Sequence, residues 1–480
     1  MADDHDSNLT EDGLKQGLNT RHIRMIAIAG AIGTGLFLGA GKGLHDIGPA
    51  LIGVYAFVGV FIFIIMRALG ELLIYRPVTG SFAEYAKEFL GPLYGFITGW
   101  GYWATWTVIG MAELTAAGIY INKWFPSIPG WTTALVMLVA LTTLNLIAVA
   151  AFGEAEFWFA SIKVLAIMAL IIGGTAAMIF GLGHVGQSGS PANIYNHGGL
   201  VPNGWYKVLM AIQMVIFAYQ GVELIGMAAA ETKNREQVLP KAINSIPIRV
   251  GVFYIGSLLV LLSLFPWSNF SKGQSPFVQA LGGIGVSRAG DIMNFVVLTS
   301  CLSACSSGLF SNGRLLKRLA DDGMAPAGLG RTSRTHVPAI GVLTSAGFML
   351  IGVWLNLAFP GKAFDYITSV ATTGGVWCWG VIVACLLVYR RRVARGEAEP
   401  SSFRLPWATP LCWAVLVFLG VVTLLLGIDP DQRYALYALP IWAVVLVGGY
   451  YGYGRKGMAA AERSKSLALE LQSVTGLERA

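Results

Sequence analysis

Charge is what this sequence has least of: Asp, Glu, Lys and Arg make up 12% of its 480 residues, against 55% hydrophobic residues. With a mean hydropathy of +0.63, it reads as a polytopic membrane protein. Cysteine is limited to Cys301, Cys305, Cys378, Cys385 and Cys412, all inside apolar runs. Such cysteines act as small hydrophobes, not as a disulfide framework or a zinc site. The six histidines sit in loops or at the ends of apolar runs, so none is paired for a haem or metal at membrane depth. Respiratory and metalloprotease chemistry lose their ligands, and no cofactor or metal is expected. There is no G-x-x-x-x-G-K-[ST] phosphate loop, which argues against direct coupling to ATP. Any uphill work must draw on an ion gradient or a partner. The acidic N-terminus (Asp3, Asp4, Asp6, Glu11, Asp12) lacks the basic region and short apolar core of a cleaved signal peptide. The first span is expected to serve as the insertion signal.

What the sequence does contain is a series of apolar runs, each long enough to cross about 30 Å of hydrocarbon. They fall near 22–42, 48–75, 93–123, 129–151, 155–182, 205–231, 241–265, 287–316, 337–358, 364–389, 407–427 and 433–454. These predict an all-α membrane protein of twelve transmembrane helices, with tails at 1–21 and 455–480 flanking one domain at 22–454. Of the Lys and Arg residues, 23 fall in the N-terminus, the even-numbered loops and the C-terminal tail, seven on the opposite side and three within spans. By the positive-inside rule both termini are cytoplasmic. The net charge of +7 thus reports topology, and no nucleic-acid partner is expected. Residues 76–91 are predicted to lie as an amphipathic helix on the inner surface.

Two runs carry interruptions. Gly30, Gly33 and Gly35 lie inside Met25–Leu38, and Phe217-Ala218-Tyr219-Gln220-Gly221-Val222-Glu223 lies midway along Trp205–Ala230. Broken backbone at membrane depth is tolerated where it lines a cavity, and breaks in corresponding positions of two halves mark the central site of a secondary transporter. Free N–H groups around Ile32, Gly33, Thr34 and Gly35, at the start of the outer half-helix, suit a carboxylate. Carbonyls near Ile28 and Ala29, with those freed near Phe217 and Ala218, suit an ammonium. One small zwitterion satisfies both. On spacing alone, close helix packing through small residues is the alternative.

Ionisable residues inside spans need a reason, since each costs about 2.5–3.5 kcal/mol or more at a helix centre. Arg67 and Glu71 are four apart and predict a structural or gating pair. Glu113, about mid-depth in span three, either lines the cavity or is a buried carboxyl kept protonated. Glu223 follows the span-six break and can hold it by accepting backbone N–H groups. Lys163 has no acidic residue at i−4 or i+4, so either its partner comes from another helix or it reaches back to the inner surface.

Several stretches then resemble a known family. They are IAGAIGTGLFLGAG (28–41), MRALGELL (66–73), FGEAEFWFASIKVLAI (152–167), FAYQGVELIGMAAAET (217–232), LPKAINSIPIR (239–249) and NFVVLTSCLSACSSGLFSNGRLL (294–316). In order and over about residues 14–454, they resemble the amino acid permeases of the amino acid-polyamine-organocation superfamily, amino acid transporter family. Within it, AAETKNREQVLPKAINSIPIR is most similar to the D-serine, D-alanine and glycine transporters, with departures at Ser306-Ser307, Asn312-Gly313-Arg314 and Asn234-Arg235. The resemblance implies a LeuT-like five-plus-five inverted repeat with broken spans one and six, set in the plasma (inner) membrane. It further implies proton symport of an amino acid. In the proton-coupled permeases a span-five lysine in the I-K-V context stands where sodium-driven relatives hold a metal ion. Lys163 matches it, with Ser303, Ser306 and carbonyls before Gly30 as its expected partners. Because Met111, Tyr219, Gln220, Val376 and Trp377 carry no fixed charge, the expected cargo is a small neutral amino acid such as glycine, alanine or serine, D-isomers included. An aromatic, basic, proline, asparagine or 4-aminobutyrate permease, or a channel or sensor on the same scaffold, is the alternative. No enzyme chemistry is expected, because no nucleophile and base converge at membrane depth.

Overall fold

The computed structural model describes residues 32–76, 82–147, 149–182, 188–224, 235–283, 288–333, 336–430 and 432–477. Its described regular elements are all helical, and ten of its helices are long and apolar enough to cross a membrane. They are Ala50–Tyr75, Pro92–Trp124, Gly130–Ile147, Glu156–Phe180, Leu239–Leu264, Ala289–Asp321, Ala339–Ala358, Ala363–Ala394, Ala408–Ile428 and Tyr434–Ser464. These coincide with expected spans two to five and seven to twelve, and the chain is a multi-pass membrane protein. The expected first and sixth spans are described only in part. Span one contributes a π turn over Gly35–Gly39 and the helix Ala40–Ile47. Span six contributes Trp205–Ala218.

Local sequence fixes where the long helices start. Span two follows Gly48, whose φ of +59° reverses the chain before Pro49. Span three begins with Pro92 at its first position, after Gly91 at φ +109°, a pairing in which proline presets the helical φ and glycine takes the left-handed turn. Spans three and eight form the middle of the bundle: 78% of the most apolar stretch of each is buried, against 11% for span twelve. The helix of span twelve continues past residue 454. After a π turn at Tyr450–Gly454 it runs on as Arg455–Leu477.

The amphipathic helix expected between spans two and three is Phe82–Leu90, and it buries Phe82, Ala83, Tyr85, Ala86 and Phe89. The side chain of Arg392 donates to the Glu88 carbonyl at 2.9 Å and lies over the Phe89 ring. Lys87 pairs with Glu462 of the long C-terminal helix at 2.8 Å. The helix is thus clamped between span ten and the tail. Burial first, and the Asp322 carboxylate second, raise the Glu84 carboxyl to about 7.

One expected pair is corrected. Glu71 does not pair with Arg67. Its Oε1 lies 2.6 Å from Arg390 Nε, and its Oε2 accepts from Arg390 at 2.9 Å and from the Leu405 N–H at 2.7 Å. Arg67 instead donates to Asn244 at 3.0 Å and to the Arg404 carbonyl at 2.6 Å, with its guanidinium over Phe403. Helical spacing placed the two side chains on one face, but the helices packed there offer each a better partner. Glu71 is buried while Arg390 is 23% exposed, so removing the carboxylate strands a partly wet cation and a backbone donor. Glu71→Ala is expected to cost about 2–3 kcal/mol. The check is the thermal unfolding midpoint of the purified protein in detergent, which should fall; an unchanged midpoint would contradict it.

Candidate functional site

The two glycine-marked stretches meet. Beyond Ala218, span six gives way to a run of turns: Tyr219, Gln220 and Val222 donate to the carbonyls of Ile216, Phe217 and Tyr219. Gly221 takes φ +101°, a conformation side chains rarely adopt. Both Glu223 carboxylate oxygens accept from the Gly221 N–H, at 3.3 and 3.1 Å, and Trp379 Nε1 donates to one of them at 3.4 Å. The break is therefore tied to span ten. In span one Gly35 lies directly against the Ala218 backbone, where a Cβ would overlap it. Tyr254 donates to the Ala218 carbonyl at 2.9 Å, and Tyr55 to that of Gly35 at 3.5 Å. Each such carbonyl keeps a second lone pair.

Between these stretches lies a small cavity lined by Gly33, Gly35, Trp106, Ile109, Glu113, Phe217, Ala218, Gln220 and Ala304. Glu113 anchors one wall. Its Oε1 accepts from Thr34 Oγ1 at 2.9 Å and from the Thr34 N–H at 3.4 Å, while its buried Oε2 has no partner among the described residues. Gln220 forms the span-ten side, its Nε2 donating to the Ala371 carbonyl at 2.7 Å.

Behind span one lies a second polar cluster. Lys163, 1% exposed, donates to the Ile32 carbonyl at 3.1 Å and to Ser303 Oγ at 3.3 Å. Ser303 in turn donates to Glu156 Oε1 at 2.7 Å, and Ser300 donates to the Ile32 carbonyl at 3.0 Å. One lysine thus bridges spans one, five and eight, directly beside the backbone that reaches the cavity.

The expected residues fall into three groups. Gly33, Gly35, Glu113, Phe217, Ala218 and Gln220 line the cavity, Thr34 holds Glu113 from span one, and Ile32, Lys163 and Ser303 belong to the cluster behind it. Others lie elsewhere. Tyr219 packs with Tyr55 and Tyr254 and donates to the Tyr55 carbonyl at 2.8 Å. Ser306 accepts from Asn145 at 3.1 Å and not from the lysine. Met111 packs on Gly352 of span nine, while Val376 and the 40% exposed Trp377 are not among the lining residues. Ile28, Ala29 and the carbonyls before Gly30 fall outside the described residues. Sequence reasoning missed Glu156 and Ser300. Glu156 carried a signal, since it stands seven residues before Lys163 and so two helical turns along the same face.

A family model described as amino acid permease matches residues 22–460. The chain is similar to an amino acid permease of Bacillus subtilis, 43% identical over 92% of this chain and 96% of that protein. It is also similar to the L-asparagine permease of Escherichia coli, 42% identical over 94% of this chain and 91% of that protein. The D-serine/D-alanine/glycine transporter of the same organism is 42% identical over 94% of this chain and 96% of its own length.

Proposed function

The chain belongs to the amino acid permease family, and from that premise we propose that it is a secondary active transporter importing a small neutral amino acid by proton symport. In this reading it spans the plasma membrane twelve times with both termini cytoplasmic. Spans one to five and six to ten are inverted copies, and the two tails flank the permease domain. The observation that carries the proposal is the meeting of the two expected break points at one cavity, Gly35 against Ala218, with Glu113 and Gln220 on its walls.

The substrate carboxylate binds the N–H groups of Gly33 and Gly35, that of Thr34 being held by Glu113, and the positive end of the outer half-helix adds to the attraction. The ammonium binds the free Glu113 Oε2 and carbonyls of the broken segments. Glu113 is thereby neutralised by the α-ammonium common to all amino acids, so a cationic side chain is not required. Names among the relatives favour asparagine or D-serine, D-alanine and glycine, and all of these are uncharged overall. Lys163 carries the coupling proton. Protonated, it holds Ile32 and Ser303 together; after proton loss it no longer donates as a cation, span one loosens, and substrate and proton leave on the same side.

Uptake of labelled alanine into proteoliposomes tests the cargo by competition. Glycine, serine and asparagine are expected to compete, whereas arginine, aspartate and phenylalanine are not. Dominance by lysine would contradict the neutral substrate and make the Glu113 carboxylate a side-chain receptor.

A further inference from the structure

Gln220 has one amide atom to spare. Its Nε2 is held by the Ala371 carbonyl at 2.7 Å and lies close against Gly375, both on span ten. An acceptor at Ala371 requires the amide nitrogen there, so the orientation is fixed and the oxygen is the free end. That oxygen is buried, with no partner among the described residues, and its residue, 9% exposed overall, lines the cavity. Buried amide oxygens are rarely left unpaired, and one left so at a cavity wall is a waiting acceptor.

The position of that acceptor decides what it meets. Gly33, Gly35, Thr34 and Glu113 form the span-one end of the cavity, while Gln220 is moored to span ten. With the α-carboxylate and α-ammonium at the span-one end, the substrate side chain points along Ile109 and Phe217 towards Gln220. Resting on the transport reading above, we infer that Gln220 is a specificity-determining residue, and that the site selects amino acids whose neutral side chain donates a hydrogen bond, a hydroxyl or a carboxamide. Glycine, alanine and aliphatic amino acids leave the Gln220 oxygen unsatisfied and bind more weakly. A site built to hydrogen-bond a group rejects the isostere lacking it far better than an apolar pocket rejects an extra methylene.

The experiment compares isosteres as inhibitors of labelled serine uptake by the full-length chain in proteoliposomes. Serine is set against 2-aminobutyrate and asparagine against leucine, in the unmodified protein and in Gln220→Leu. In the unmodified protein the donor-bearing member of at least one pair is expected to inhibit about tenfold or more strongly, as an unmet buried acceptor implies. Which pair discriminates more tells hydroxyl from carboxamide. In Gln220→Leu the ratio should fall towards one. Equal inhibition by both members of each pair in the unmodified protein overturns the inference, even if Gln220→Leu fails to fold. A ratio unchanged in a folded Gln220→Leu overturns it as well. Absence of inhibition by every α-amino acid, glycine included, strikes instead at amino acid transport itself.

Discussion

Lys163→Ala is expected to abolish gradient-driven accumulation while leaving substrate exchange measurable. The lysine is buried in span five and donates to the Ile32 carbonyl and to Ser303, the latter already bonded to Glu156. Truncation removes the proposed proton carrier and the cross-link between spans one, five and eight. It leaves the cavity walls at Glu113, Phe217 and Gln220 standing. In proteoliposomes with an imposed pH gradient, the variant should bring internal substrate only to the external concentration. In counterflow, with unlabelled substrate preloaded, labelled substrate should still enter. The split between the two assays separates loss of coupling from loss of fold. A variant that still concentrated substrate with the same gradient dependence would make Lys163 structural, with Glu113 and Glu156 the next proton carriers to test.

Gly35→Ala is expected to abolish binding as well as transport. A Cβ at Gly35 would overlap the Ala218 backbone and lie 2.9 Å from the Ala218 Cβ. Neither partner is the flexible end of a side chain, so relief requires the two broken helices to part. Overpacking of this kind costs about 1–3 kcal/mol or more, and the displaced backbone is the proposed substrate cradle. The control is Gly53→Ala in span two, where a Cβ meets nothing within 4 Å. Gly53→Ala should express and transport as the parent chain does, while Gly35→Ala should lose substrate-induced thermal stabilisation. Equal stabilisation of the two variants would show that the breaks do not need this close approach.

Much of the architecture was legible because a membrane makes strong demands. Every apolar run must be helical, and a glycine-rich interruption has to line something. That logic singled out Gly33 to Gly35 and Phe217 to Glu223, which the described residues bring together at one cavity, and the charge of Lys163, which they place beside it. It failed where a partner is chosen by packing. Glu71 shares a helical face with Arg67, yet it meets Arg390, more than 300 positions away in the chain. Ser306 shares span eight with Ser303, but it bonds Asn145 of span four. Tyr219 sits one residue from Gln220, and within a turn adjacent side chains diverge: one joins a tyrosine cluster and the other faces the cavity. Glu156 was missed for a different reason. A search one turn either side of Lys163 finds no acid, whereas the carboxylate is two turns away and connected through Ser303.

Proton-driven accumulation through the cavity at the two breaks is the central claim, and one measurement addresses it directly. The unmodified chain in sealed proteoliposomes is given labelled serine with the external medium more acidic than the lumen, and then a protonophore. Internal serine is expected to rise above the external concentration and to collapse to it once the protonophore is added. Uptake that only equilibrates, identically with and without the gradient and whatever the neutral amino acid supplied, would contradict it.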